Sequence, residues 1–175
     1  MANDAVYWQI LDNSQKALRE EVRFESMGDG EPAGISPAAI VIRKLVPAKP
    51  DQPAITDEIT PGILITLENR IGRPPSEGFN DREGVAYSFA CQLIAADYDK
   101  TTLNLRTYLK WLEQIARLMS HYFARNAIIS GDFGCVWDSM ALTTTVLDPK
   151  YFVRHQKFVG AVIVTAFALE TRGAT

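Results

Sequence analysis

The chain has 175 residues, 47% hydrophobic and 22% charged, with 18 bases against 21 acids for a net charge of −3. This near-average composition excludes disordered, collagen-like and coiled-coil classes, and the charge balance lacks the basic footprint of a dedicated nucleic-acid binder. A single domain of this size buries ~70% of the surface its unfolded form exposes, enough for a core without staples.

Cys91 and Cys135 are too few for a disulfide framework and have no CxxC spacing, so they read as reduced, partly buried thiols of a cytosolic protein. The start, MANDAVYWQILDNSQ, has no basic leader region, and Asp12 and Asn13 interrupt its apolar residues. No targeting segment is expected. The longest apolar stretch, 158–169, includes Gly160 and Thr165 and falls short of the ~20 residues of a membrane helix. Charge is uneven: residues 1–87 carry a net −5 and residues 88–175 a net +2. The acidic block 51–68 has Asp51, Asp57, Glu58 and Glu68 and no base. An ordinary solvated surface explains the split, and so does one acidic and one basic face suited to head-to-tail association.

The first element is a helix over 4–21. Val6, Ile10, Leu11, Ala17 and Leu18 recur at helical spacing, and Asn3 or Asp4 can cap it. A stretch rich in Gly and Pro follows over 27–37. The β-branched run AIVIRKLV (39–46) reads as a strand. Pro47, Pro50, Pro53 and Pro61 then deny helix and central-strand roles to 47–61. GILITL (62–67) is a second strand. Between it and the next lies ENRIGRPPSEGFNDREG (68–84), with seven charged residues, three glycines and Pro74–Pro75. It reads as a projecting loop or open hairpin, long against a usual ~4–6 residues and therefore functional or disordered.

Residues 85–96 alternate, with Val85, Tyr87, Phe89, Cys91 and Leu93 on one side. Ala86, Ser88 and Ala90 are among those on the other, and their small size suggests a helix lying against that face. The best helix is 103–124, where Leu105, Tyr108, Leu109, Leu112, Ile115, Ala116, Met119, Tyr122 and Phe123 make one stripe. Two strands close the chain, 136–147 and 157–171. The last is apolar on both faces and so should be central or doubly covered. The order predicts an α+β fold, a small and mostly antiparallel sheet with an N-terminal helix and one long amphipathic helix packed on it.

Chemistry-bearing patterns are sparse. His121 and His155 have no metal-ligand spacing, and His121 fits a role near a helix C-terminus. Cys91 alternates with Phe89 and Leu93, which reads as packing and not as a nucleophile. Asp97 and Asp99 precede a helix and fit capping better than metal binding. GDGEPAG (28–34) lacks the phosphate-loop pattern, and no serine has a GxSxG context. The richest basic and aromatic cluster is Lys150, Tyr151, Phe152, Arg154, His155, Lys157 and Phe158. An interface loop explains it as well as single-stranded nucleic acid does. No catalytic, metal or cofactor site is expected.

The run TPGILITLENRIGRP, the loop after it, VAYSFACQLIAADYD, LRTYLKWLEQIARLM and VGAVIVTAFALETR together resemble tail-terminator (tail-completion) proteins of long-tailed bacteriophages. The resemblance covers roughly 60–171 and the N-terminal helix, and rests on element order and pattern. It implies an α+β subunit of a homo-oligomeric ring, a hexamer, that caps the tail tube and joins it to the neck. Its partners would be itself, the tube protein and a neck or connector protein, with no membrane and no sequence-specific nucleic acid, although DNA passes through the lumen of such a ring. The location implied is the virion, and the host cytoplasm during assembly. The Pro-rich 47–61 departs from the family's simplest pattern. Candidate interface residues are Arg70, Arg73, Phe79 and Arg82 in the loop, and Tyr151, Arg154 and Lys157. The arginines can pair bidentately with carboxylates, and Phe79 is an apolar anchor. A head-side connector protein is the first alternative, and a hydrolase or nuclease the second.

Overall fold

The computed structural model describes residues 6–21, 24, 34–42, 61–73, 82–96, 102–125, 136–146 and 157–171. In chain order these form helix α1 (Val6–Arg19), strand β1 (Ile40–Ile42), strands β2 (Gly62–Arg73) and β3 (Arg82–Ala96), helix α2 (Thr102–Arg125), and strands β4 (Val136–Val146) and β5 (Lys157–Thr171). The sheet order is β1-β2-β3-β5-β4. Among the described strands, only the β1–β2 pair is parallel. The architecture is the α+β one read from the sequence, a mostly antiparallel sheet carrying two helices.

The alternation of β3 decides where those helices go. Val85, Tyr87, Phe89, Cys91, Leu93 and Ala95 all belong to the main core, beside Ile63 and Ile65 of β2 and Phe158, Val162 and Val164 of β5. Ile10, Leu11 and Leu18 of α1 and Tyr108, Trp111, Leu112, Ile115 and Met119 of α2 complete it. Both helices therefore lie on the face of the large side chains. The small-residue face, expected to hold a helix, carries none among the described residues. Burying large apolar groups stabilises far more than burying Ala or Ser, and that difference selects the face.

The core is bound in by a few specific contacts. The Tyr7 hydroxyl at the start of α1 donates to the Ser88 carbonyl, and its ring meets Tyr87 edge-on at 5.2 Å. At the other end of α1, the Arg19 guanidinium donates to the carbonyls of Pro37 and Ile40, and the Gln15 amide also reaches Ile40 at 2.8 Å. These bonds hold the first residue of β1 beneath the helix. In α2, Tyr108 stacks near Phe158 at 5.1 Å, and Leu112 lies over Gly160. The helices thus cross the sheet in opposite senses. The Gln114 amide donates to Glu21 at 3.0 Å and ties one to the other.

Of the 39–46 strand, Ile40–Ile42 is strand, Ala39 belongs to a short 3-10 turn, and 43–46 lie outside the described residues. Of the two readings of 68–84, the open hairpin holds at the described ends, because β2 continues through Arg73 and β3 starts at Arg82. Pairs Asn69↔Ser88, Arg70↔Tyr87, Ile71↔Ala86, Gly72↔Val85 and Arg73↔Gly84 extend the ladder, after a bulge between Leu67 and Asn69. On α2 the buried stripe includes Trp111, at 3% exposure, and Thr107, whereas Leu105 (42%) and Leu109 (37%) are exposed. The expectation for β5 holds, since it lies between β3 and β4.

Candidate interaction surfaces

Cys91 sits at the centre of the sheet, paired with Ile65 on one side and Val162 on the other. Burial pushes its thiol up to about 12, because the apolar surroundings penalise the thiolate. It is a packing residue. The unfolded thiol ionises near its ordinary 9.0, so between pH 9.0 and about 12 the unfolded state loses a proton that the folded state keeps. The contribution of Cys91 to stability is therefore constant below that window and falls as pH rises through it. At pH 8, iodoacetamide should leave Cys91 unmodified in the folded protein and alkylate it once denatured, as peptide mass spectrometry would show.

Among the described residues no group of three His, Cys, Asp or Glu side chains is placed to hold a metal ion, and no helix is long and apolar enough to cross a membrane. His121 stands in the last part of α2. Asp97, Asp99, Cys135 and His155 lie outside the described residues.

The interface residues proposed from sequence fall in two places. Arg70 and Arg73 lie at the far end of β2, and Arg82 opens β3, paired with Thr171 at the end of β5. They gather at one end of the β2–β3 hairpin; Phe79 lies outside the described residues. Lys157 pairs with Ala96 at the opposite end of β5, about 45 Å away along the strand at ~3.3 Å per residue. Tyr151 and Arg154 lie outside the described residues. Among the described candidates, Lys157 therefore stands at the opposite end of the sheet from the arginines.

Sequence reasoning missed two features of this hairpin. Leu67 and Ile71 are about half exposed, and β2 outruns β1, which pairs only with 63–65. No polar–apolar alternation in Asn69, Arg70, Ile71 and Gly72 signals the extension, and the extra residue Glu68 at the bulge shifts the register there. The helix-free face is polar at its middle. The Ser88 and Thr165 hydroxyls are 3.0 Å apart, and the Gln92 amide lies 3.4 Å from the Thr66 hydroxyl. At its lower end Leu64 and Ile94 are buried together, with Val41 beside them.

Compared with known proteins, the chain matches no family model and no curated protein.

Proposed function

We propose that this protein is a structural, non-enzymatic subunit of a phage virion, a tail-terminator-like protein that assembles with itself into a hexameric ring between tail tube and neck. The observation that carries the reading is the order and pairing of elements. A hairpin arm (β2–β3), a long helix and a closing antiparallel pair (β4–β5) follow the pattern on which the resemblance rests. The arm adds support, because its arginines and half-exposed Leu67 and Ile71 combine charge and apolar surface as partner-binding sites do.

The test is to replace 74–81 with a short Gly-Ser linker, leaving the paired residues of both strands in place. Thermal unfolding should change little, since loop length alters closure entropy only logarithmically. Binding of the assembled ring to purified tail tubes, followed by mass photometry, should be lost. Normal tube binding by the shortened protein would sink the reading.

A further inference from the structure

The two sides of the sheet offer matching backbone edges. β4 is the last strand on one side, and no described strand pairs with its outer edge. On the other side β1 stops short, so the outer edge of β2 beyond residue 65 is likewise unpaired among the described residues. Natural sheets blunt such edges with Lys, Pro, bulges or brevity. β4 has one bulge, between Trp137 and Ser139. After it, the eight residues SMALTTTV (139–146) contain no charge, Pro or Gly. A long, uncharged, β-branched edge of this kind is a template for another strand.

Following the pairing across the sheet gives the relative height and sense of the two edges. Asn69 pairs with Ser88, Ser88 with Thr165 and Thr165 with Ala141, and the chain Ile71–Ala86–Phe167–Ser139 runs beside it. The stretch 69–73 therefore lies level with 136–141 of β4, and a stagger of about three residues along the strands brings it opposite 139–146. Three successive antiparallel pairings separate β2 from β4, so the two run in opposite senses. A second copy turned about an axis along the strands can then lay its β2 edge antiparallel against β4, with its helices on the same side. That contact joins different edges, so it can repeat, and it closes into a ring where the rotation between copies permits.

We infer that the subunits join edge to edge, with 139–146 of β4 pairing antiparallel with 69–73 of β2 in the next copy. The choice of a second copy rests on the ring reading above. Tilted strands in a closed sheet are staggered, so the joint is fixed in sense and region and not in residue register.

The experiment is a proline scan of the intact chain at Ala141, Leu142, Thr143 and Thr144. Along an edge strand the amides point alternately inward and outward, and proline removes one. At one parity it breaks a bond to β5 and should destabilise the fold. At the other it should leave thermal unfolding near wild type and abolish the multi-subunit species seen by mass photometry. Normal assembly by the variants that keep their fold would overturn the edge joint while leaving the ring reading intact. A wild-type chain that stays monomeric, with and without tail tubes, overturns both. A dimer as the largest species also overturns the joint, because a contact between two different edges leaves one of each free and does not stop at two copies. Should all four variants unfold, hydrogen exchange on the wild type decides. The amides of 139–146 and 69–73 should be protected in the assembly and lose that protection on dilution to subunits, and protection that persists in the monomer rejects the joint.

Discussion

Replacing Trp111 by Ala should lower stability by ~3–5 kcal/mol, the range for removing a large aromatic group from a core, whereas Leu105→Ala and Leu109→Ala should each stay within ~0.5 kcal/mol. All three residues lie on α2, and a hydropathy scale alone would rank the leucines above the tryptophan. Their placement reverses the order. Trp111 is 3% exposed in the main core with its ring 5.7 Å from Tyr108, while the two leucines already face outward. Truncating Trp111 leaves a cavity beneath the helix; truncating Leu105 removes atoms from the surface. In a chain of this size the larger change corresponds to roughly 6–20 °C in melting temperature. The readout is the denaturant midpoint at constant slope, which separates lost stability from a changed unfolded state. Equal effects at Trp111 and Leu105 would mean that the helix is rotated about its axis from the orientation described.

That rotation marks the boundary of what the sequence made legible. Tyr108, Leu112, Ile115 and Met119 belong both to the stripe read from periodicity and to the buried face. Among the residues whose side chains are described, the readings differ chiefly at the flanks, where Leu105 and Leu109 lose to Thr107 and Trp111. An arc of about 100° per residue cannot choose between adjacent flanks without the partner surface. The core set of β3 was legible because strict alternation over 85–93 fixes which side chains share a face. Which of the two faces meets the helices needed a comparison of their apolar volumes, and the small-residue argument pointed the wrong way.

The hairpin arm illustrates a second limit. Residues 68–73 hold Glu68, Asn69, Arg70, Gly72 and Arg73, a composition that local propensity assigns to a loop. They are strand because 84–88 supplies partners, a non-local fact. The parallel pairing of β1 with β2 is non-local in the same way. For the candidate interface, residue type pointed to arginines and aromatics, but only the ladder separated Lys157 from the arginines at one end of the β2–β3 hairpin.

Leu112 and Gly160 should show a coupling large enough to reverse the sign of a substitution. Leu112 is fully buried, and Leu112→Ala alone should cost ~2–5 kcal/mol from lost transfer energy plus the cavity left behind. A Cβ placed on Gly160 would stand 3.0 Å from Cδ2 and 3.2 Å from Cγ of Leu112, with Cδ1 closer still. The leucine is the flexible partner, yet at 1% exposure within the close-packed main core it has little room to move. Gly160→Ala alone should therefore cost ~1–3 kcal/mol as overpacking. In the Leu112→Ala background the obstructing atoms are gone. The new methyl then fills part of the cavity, and a strand-interior glycine is replaced by a residue with less entropy to lose, worth about 0.5–1 kcal/mol. The second substitution should become stabilising there, so the double variant is more stable than Leu112→Ala by itself. Chemical denaturation of the four proteins closes the cycle, and the sign of the interaction term is the quantity to read. Additive effects, or a Gly160→Ala substitution that stabilises the wild-type background, would show that α2 does not seat its leucine on this glycine.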